Sequence, residues 1–218
     1  MPVHPMLLTT TDGVALEAEL ARPPEGTPVR AGMVLCHPHP LHGGTMRSIV
    51  ISALFTALPD SGVTCLRFNF RGVEGSAGIH TDGDAEPHDA LAAIDALHEQ
   101  LPPDAPLILA GWSFGADVTL SVSDPRLAAW LAIAGPLKFV RDVERVGFDA
   151  RPKLLVLAQR DEIRAPDEIE AEVTDWANTD VVVVSGASHF FIGRTDQLVV
   201  LARGLVDSVA GVGPRAVD

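Results

Sequence analysis

Residues 106–121 read PLILAGWSFGADVTLS. An apolar run gives way to Gly-x-Ser-x-Gly, Gly111 to Gly115, and then to a stretch able to form a helix. A chain that passes from strand to helix across one residue needs that residue, Ser113, in a strained backbone conformation, with small neighbours that avoid clashes. The two glycines serve that turn and leave the Ser113 hydroxyl exposed at its apex. A serine hydroxyl is a poor nucleophile near neutral pH, so a reactive Ser113 requires a base to accept its proton and an acid to orient the base.

Similar apolar runs lie on both sides. AGMVLC, VTCLRFNF, AAWLAIAG, KLLVLAQ and DVVVVSG are rich in Val, Leu and Ile. They are apolar on consecutive residues rather than alternating ones, as strands covered on both faces are. Between them TMRSIVISALFTALPD, EPHDALAAIDALHEQL and RTDQLVVLARGLVDSVA carry helical periodicity, and MLLTTTDGVALEAEL reads as a hairpin turning at Asp12-Gly13. Strand-helix alternation predicts an α/β fold, a mostly parallel sheet with helices on both faces, formed by residues 1–218 as one domain. In such sheets ligands bind beyond the carboxyl ends of the strands.

Those ends supply the missing groups. Asp161 follows KLLVLAQ and His189 follows the DVVVVSG run, giving the chain order Ser113, Asp161, His189. Glu162 and Asp167 compete for the acid role, but Asp161 stands closest to the strand end, and Asp167 after Pro166 reads as a helix cap. Asp117, in the first turn after the elbow, suits the helix dipole.

On these residues the chain resembles the α/β-hydrolase superfamily, in the style of small lid-less bacterial serine esterases and dienelactone-hydrolase-like proteins. HPHPLHGG (37–44) resembles the oxyanion loop, RFNFRGVEGSAG (67–78) the Arg-Gly-x-Gly-x-Ser loop, GWSFG the elbow, RDEIRAP (160–166) the acid loop and SHFF (188–191) the histidine loop. The resemblance implies about eight strands and the Ser113-His189-Asp161 triad. Dienelactone hydrolases use cysteine at the elbow, so Ser113 favours ordinary ester hydrolysis. Only GPLKFVRDVERVGFDARP (135–152) separates two predicted strands where many relatives insert a lid, so no lid domain is expected.

The histidines of HPHPLHGG admit a second reading. His37, His39 and His42 match the spacing of a metallo-β-lactamase-like His-x-His-x-Asp-His motif, but Leu41 stands where the acid belongs, and His80, His88 and His189 form no ligand-spaced pair. The favoured reading uses backbone instead. An oxyanion needs preorganised N–H donors, one from Phe114 and one from this loop; Pro38 and Pro40 have none, which leaves His39 first and Leu41 second. Trp112, Leu41 and Phe190 are candidates for the substrate-binding wall, with Phe191 nearby. Arg71 is expected to hydrogen-bond within its own loop rather than to substrate.

The 218 residues are 47% hydrophobic and carry a net charge of −13. That field repels phosphate backbones and anionic lipid, with no basic cluster to override it, so nucleic acid and membrane are unexpected partners. No signal peptide or run of 18 apolar residues is present, predicting a cytoplasmic protein. Cys36 and Cys65 lie in apolar runs and read as buried reduced thiols. Cleavage of a small ester without metal or organic cofactor is therefore the expectation, with a metal-dependent hydrolase or a non-catalytic binding protein on the same scaffold as alternatives. Nothing in the sequence specifies an oligomeric state.

Overall fold

The computed structural model describes residues 2–211. Eight strands form one sheet: β1 (Val3–Thr9), β2 (Ala15–Ala21), β3 (Ala31–Cys36), β4 (Val63–Phe68), β5 (Leu107–Trp112), β6 (Leu127–Ile133), β7 (Lys153–Arg160) and β8 (Thr179–Ser188). Their order is β1-β2-β4-β3-β5-β6-β7-β8. All pairings from β4 through β8 are parallel, and the β1-β2 hairpin joins β4 antiparallel. The hairpin turn is tied by Thr10, whose carbonyl accepts from Gly13 and whose hydroxyl accepts from Val14 at 2.8 Å.

Strands β3 and β5 are buried at every position, as their unbroken apolar runs require. Helices α1 (Ile49–Ala57) and α6 (Thr195–Ala210) cover one face, through Ile51, Leu54 and Phe55 and through Leu198, Ala202 and Val206. The opposite face lies under α2 (Glu86–His98), α3 (Phe114–Ser121), α4 (Val143–Phe148) and α5 (Pro166–Glu172), with Ile94, Leu97, Val118 and Ile169 packed around Phe68 and Trp130. The span between β6 and β7 holds only the six residues of α4 and no lid.

Two local details differ from the sequence reading. Strand β8 runs on to Ser188, beyond the DVVVVSG run, because the register slips between Ala158 and Arg160 and the Gln159 side chain accepts from Gly186 N–H at 2.7 Å. Asp167 is no cap: Ala165 holds the N-cap position and Pro166 starts α5, leaving Asp167 inside the first turn.

Candidate active site

The site is built at the carboxyl ends of β5, β7 and β8. Ser113 occupies the residue between β5 and α3 with φ 56° and ψ −121°, a strained conformation for a side chain with a Cβ. Its N–H donates to Ile133 O at 2.8 Å, which fixes the turn against β6. The flanking glycines are steric necessities. A Cβ on Gly111 would collide with the Gly115 carbonyl, and one on Gly115 with the carbonyls of Cys36 and His37.

Ser113 Oγ lies 2.9 Å from His189 Nε2, and His189 Nδ1 lies 2.8 and 3.0 Å from the two carboxylate oxygens of Asp161. The carboxylate can only accept, so Nδ1 carries the proton and Nε2 presents its lone pair to the serine hydroxyl. Ser113 and His189 are buried. Asp161 Oδ1 also accepts from Ile163 N–H at 2.9 Å, which aims the carboxylate. Glu162 accepts from the His189 N–H at 3.2 Å, and the Trp112 indole donates to the His189 carbonyl at 3.1 Å. Of the three acids weighed from sequence, Asp161 meets the imidazole, Glu162 supports its backbone and Asp167 stands apart on α5.

The loop after β3 lies opposite. Among the described residues no acceptor takes the N–H of His39 or of Phe114, whereas Leu41 N–H donates to His39 Nδ1 at 3.3 Å. His37 is fully buried. It donates from Nδ1 to Pro38 O at 2.6 Å and accepts the Phe70 N–H on Nε2 at 3.0 Å. Burial pushes its pKa down to about 3. With both nitrogens engaged by backbone, His37 has no lone pair for a metal, and His37, His39 and His42 do not form a shared ligand set. His88 lies elsewhere, its Nδ1 3.2 Å from Thr11 Oγ1.

A cavity of about 460 Å³ opens onto Ser113, with His39, Trp112, His189 and Phe190 in its wall. Leu41, expected there too, instead lines a neighbouring hollow with Pro40 and Gly72, because the short helical turn Pro40–His42 directs it outward. Ile49 and Ile163 complete the apolar wall, two residues that no sequence pattern singled out. Phe191 is buried behind it. Arg71 is saturated by Asp89 and Asp12 at 2.6–3.1 Å and reaches no part of the cavity. Asp117 accepts the N–H groups of Leu137, Lys138 and Phe139 at 2.8–2.9 Å, pinning the loop after β6. Burial pushes its pKa up to about 6.

Comparison with solved structures finds this fold among α/β serine hydrolases. A homologue of that class from Coxiella burnetii is 33% identical, with a TM-score of 0.81 over 96% of this chain and 97% of that one. A member without a lid from Xanthomonas campestris is 28% identical, with a TM-score of 0.79 over 97% and 95% of the two chains. The chain belongs to the α/β-hydrolase superfamily. An uncharacterized protein of Rickettsia prowazekii is 32% identical over 174 residues, 75% of this chain and 73% of that protein. No family model matches the chain.

Proposed function

We propose that this hydrolase is a serine esterase acting on small or exposed carboxylic esters or thioesters, with Ser113 as nucleophile, His189 as general base and acid, and Asp161 as the group that orients it. The observation that carries the reading is the continuous hydrogen-bonded chain from Asp161 through His189 to Ser113, ending at the floor of an open apolar cavity. As Ser113 Oγ attacks the acyl carbon, its proton passes to His189 Nε2 and the carbonyl oxygen becomes an oxyanion. The free N–H groups of Phe114 and His39 are the donors for it, and Phe114 opens α3, whose N-terminal dipole favours negative charge there. Collapse of the intermediate transfers the His189 proton to the departing alcohol or thiol and leaves an acyl-serine. Water then donates its proton to His189 and adds to the acyl carbon, and as the acyl–oxygen bond breaks His189 returns that proton to Ser113 Oγ, releasing the acid and restoring the free hydroxyl.

Every proton and bond in this cycle is handled by the chain's own groups. The cavity is open and apolar, which favours small molecules. Ile49, Ile163, Trp112 and Phe190 offer surface to an acyl chain or alcohol without a charged clamp. The test is hydrolysis of p-nitrophenyl acetate and butyrate by wild type and Ser113→Ala, with and without a chelator. A fall in kcat on the order of 10⁴ or more in the variant, with chelation harmless to the wild type, is expected. Activity lost to chelation but retained in Ser113→Ala would sink the proposal.

A further inference from the structure

Three side chains that take no part in the proposed catalytic chemistry converge where the loop after β3 meets residues 80–82. One ligating atom from each of His39, His80 and Asp82 lies within 4.8 Å of the others. Asp82 Oδ1 is 3.0 Å from His80 Nε2 and 3.9 Å from His39 Nε2. These separations bracket the edge of about 3.3 Å expected for ligands held tetrahedrally about 2.0–2.1 Å from zinc. We propose that His39, His80 and Asp82 form a binding site for a divalent transition metal of the zinc class, and that occupancy of the site slows the esterase.

The surroundings are built for a ligand rather than for three stray side chains. The His80 ring is 7% exposed, and its Nδ1 lies 2.8 Å from Glu86 Oε1, off the line of a hydrogen bond. His80 Nε2 donates to Asp82 Oδ1 at 3.0 Å, and a bound ion would replace that proton, leaving the ring's proton on Nδ1 beside the Glu86 carboxylate, the kind of partner a ligating histidine takes. The same buried Glu86 accepts from Thr81 N–H at 2.8 Å, Gly83 N–H at 2.9 Å and the Thr81 hydroxyl at 2.7 Å. One anion therefore fixes the loop that carries two of the three ligands. Asp82 is 71% exposed, which gives the ion an entry path and water for its fourth position. Two imidazoles and one carboxylate suit zinc and its neighbours better than magnesium or calcium, which take oxygen ligands.

The coupling to hydrolysis follows from His39, and this part rests on the esterase reading. Its Nδ1 accepts the Leu41 N–H, so the single proton of the neutral ring sits on Nε2. Coordination through Nε2 requires that proton on Nδ1, where it faces the Leu41 N–H and breaks the bond. The loop that presents the His39 N–H loses one of its ties, the only one made by the His39 ring among the described residues, and the oxyanion donor shifts.

Calorimetric titration of wild type, Asp82→Asn and His80→Gln with zinc chloride tests the site. One equivalent bound by wild type, with affinity at least tenfold weaker in both variants, is expected; no binding to wild type, or unchanged binding in both variants, overturns it. The exposed position of Asp82 keeps that variant folded. Initial rates with p-nitrophenyl acetate test the coupling: zinc should inhibit wild type at the calorimetric Kd and spare Asp82→Asn. Equal inhibition of both would put the inhibitory ion elsewhere, on His189 for example, and the coupling would fall. If wild type hydrolyses no ester at all, the calorimetry still decides the metal site, so the two readings fail separately.

Discussion

Gly115 lies against the carbonyls of Cys36 and His37, so its missing Cβ is what lets the elbow and the loop after β3 touch. Gly115→Ala should destabilise the protein by about 1–3 kcal/mol, read from urea midpoints, as overpacking does. Its specific activity should fall further than the unfolded fraction explains, since the Phe114 and His39 amides are forced apart. His37 gives a pH signature. With its folded pKa at about 3, against 6.5 for a free imidazole, the unfolded chain takes up a proton below pH 6.5 that the folded chain refuses. Stability from this group is present above that pH and lost as pH falls toward 3. Between pH 7 and 5 the loss is about 2 kcal/mol, so the unfolding free energy of wild type should drop by roughly that much more than that of His37→Gln. Parallel curves would show that His37 is charged when folded. Asp117 works in the opposite direction, disfavouring the fold as pH rises from 3.8 to about 6, and both proteins share that contribution. The elbow glycines, Ser113, Asp161 and His189 were legible in the sequence because turn chemistry and strand ends are local signals. Ile49, Ile163 and Leu41 were not, since whether a loop side chain turns toward a cavity is settled by the loop's path.

At the scale of elements, Arg71 joins the hairpin turn to α2 through Asp12 and Asp89. Arg71→Met strips the buried Asp89 carboxylate of its only counter-charge among the described residues, leaving it the backbone N–H of residue 71 alone, and should cost about 3–5 kcal/mol in urea unfolding. Because the guanidinium lines no part of the cavity, KM for anionic and neutral esters should stay unchanged in the folded variant. A rise in KM confined to anionic esters would instead make Arg71 a substrate clamp. The strands were readable in the sequence because burial on both faces leaves unbroken apolar runs. The end of β8 was not, because its last residues depend on a register slip and on a side chain from β7. Asp117 was legible as a helix-start carboxylate but not as the anchor of residues 137–139, partners some twenty residues away.

Across the whole molecule, the site lies open beyond the sheet, with no inserted domain over it, and no described helix is long and apolar enough to cross a membrane. Without a lid to open at an interface, the rate with tributyrin should rise smoothly through the substrate's solubility limit. An abrupt increase at that limit would mean that some segment closes over the cavity in solution. The parallel sheet and covering helices were legible from strand-helix alternation, whereas the placement of β4 between β2 and β3 was not, since strand order is decided by long-range pairing. The order of the sheet also bears on the protein's birth. Ser113 lies at the end of β5, and the imidazole that contacts it lies 76 residues later in the chain, beyond the edge strand β8. At the ribosome's pace of about 5–20 residues per second, the hydroxyl emerges roughly 4–15 seconds before that imidazole does. Under the proposed mechanism a nascent chain is thus inert for most of its synthesis, and any product released early, short of His189, carries Ser113 with no imidazole to take its proton.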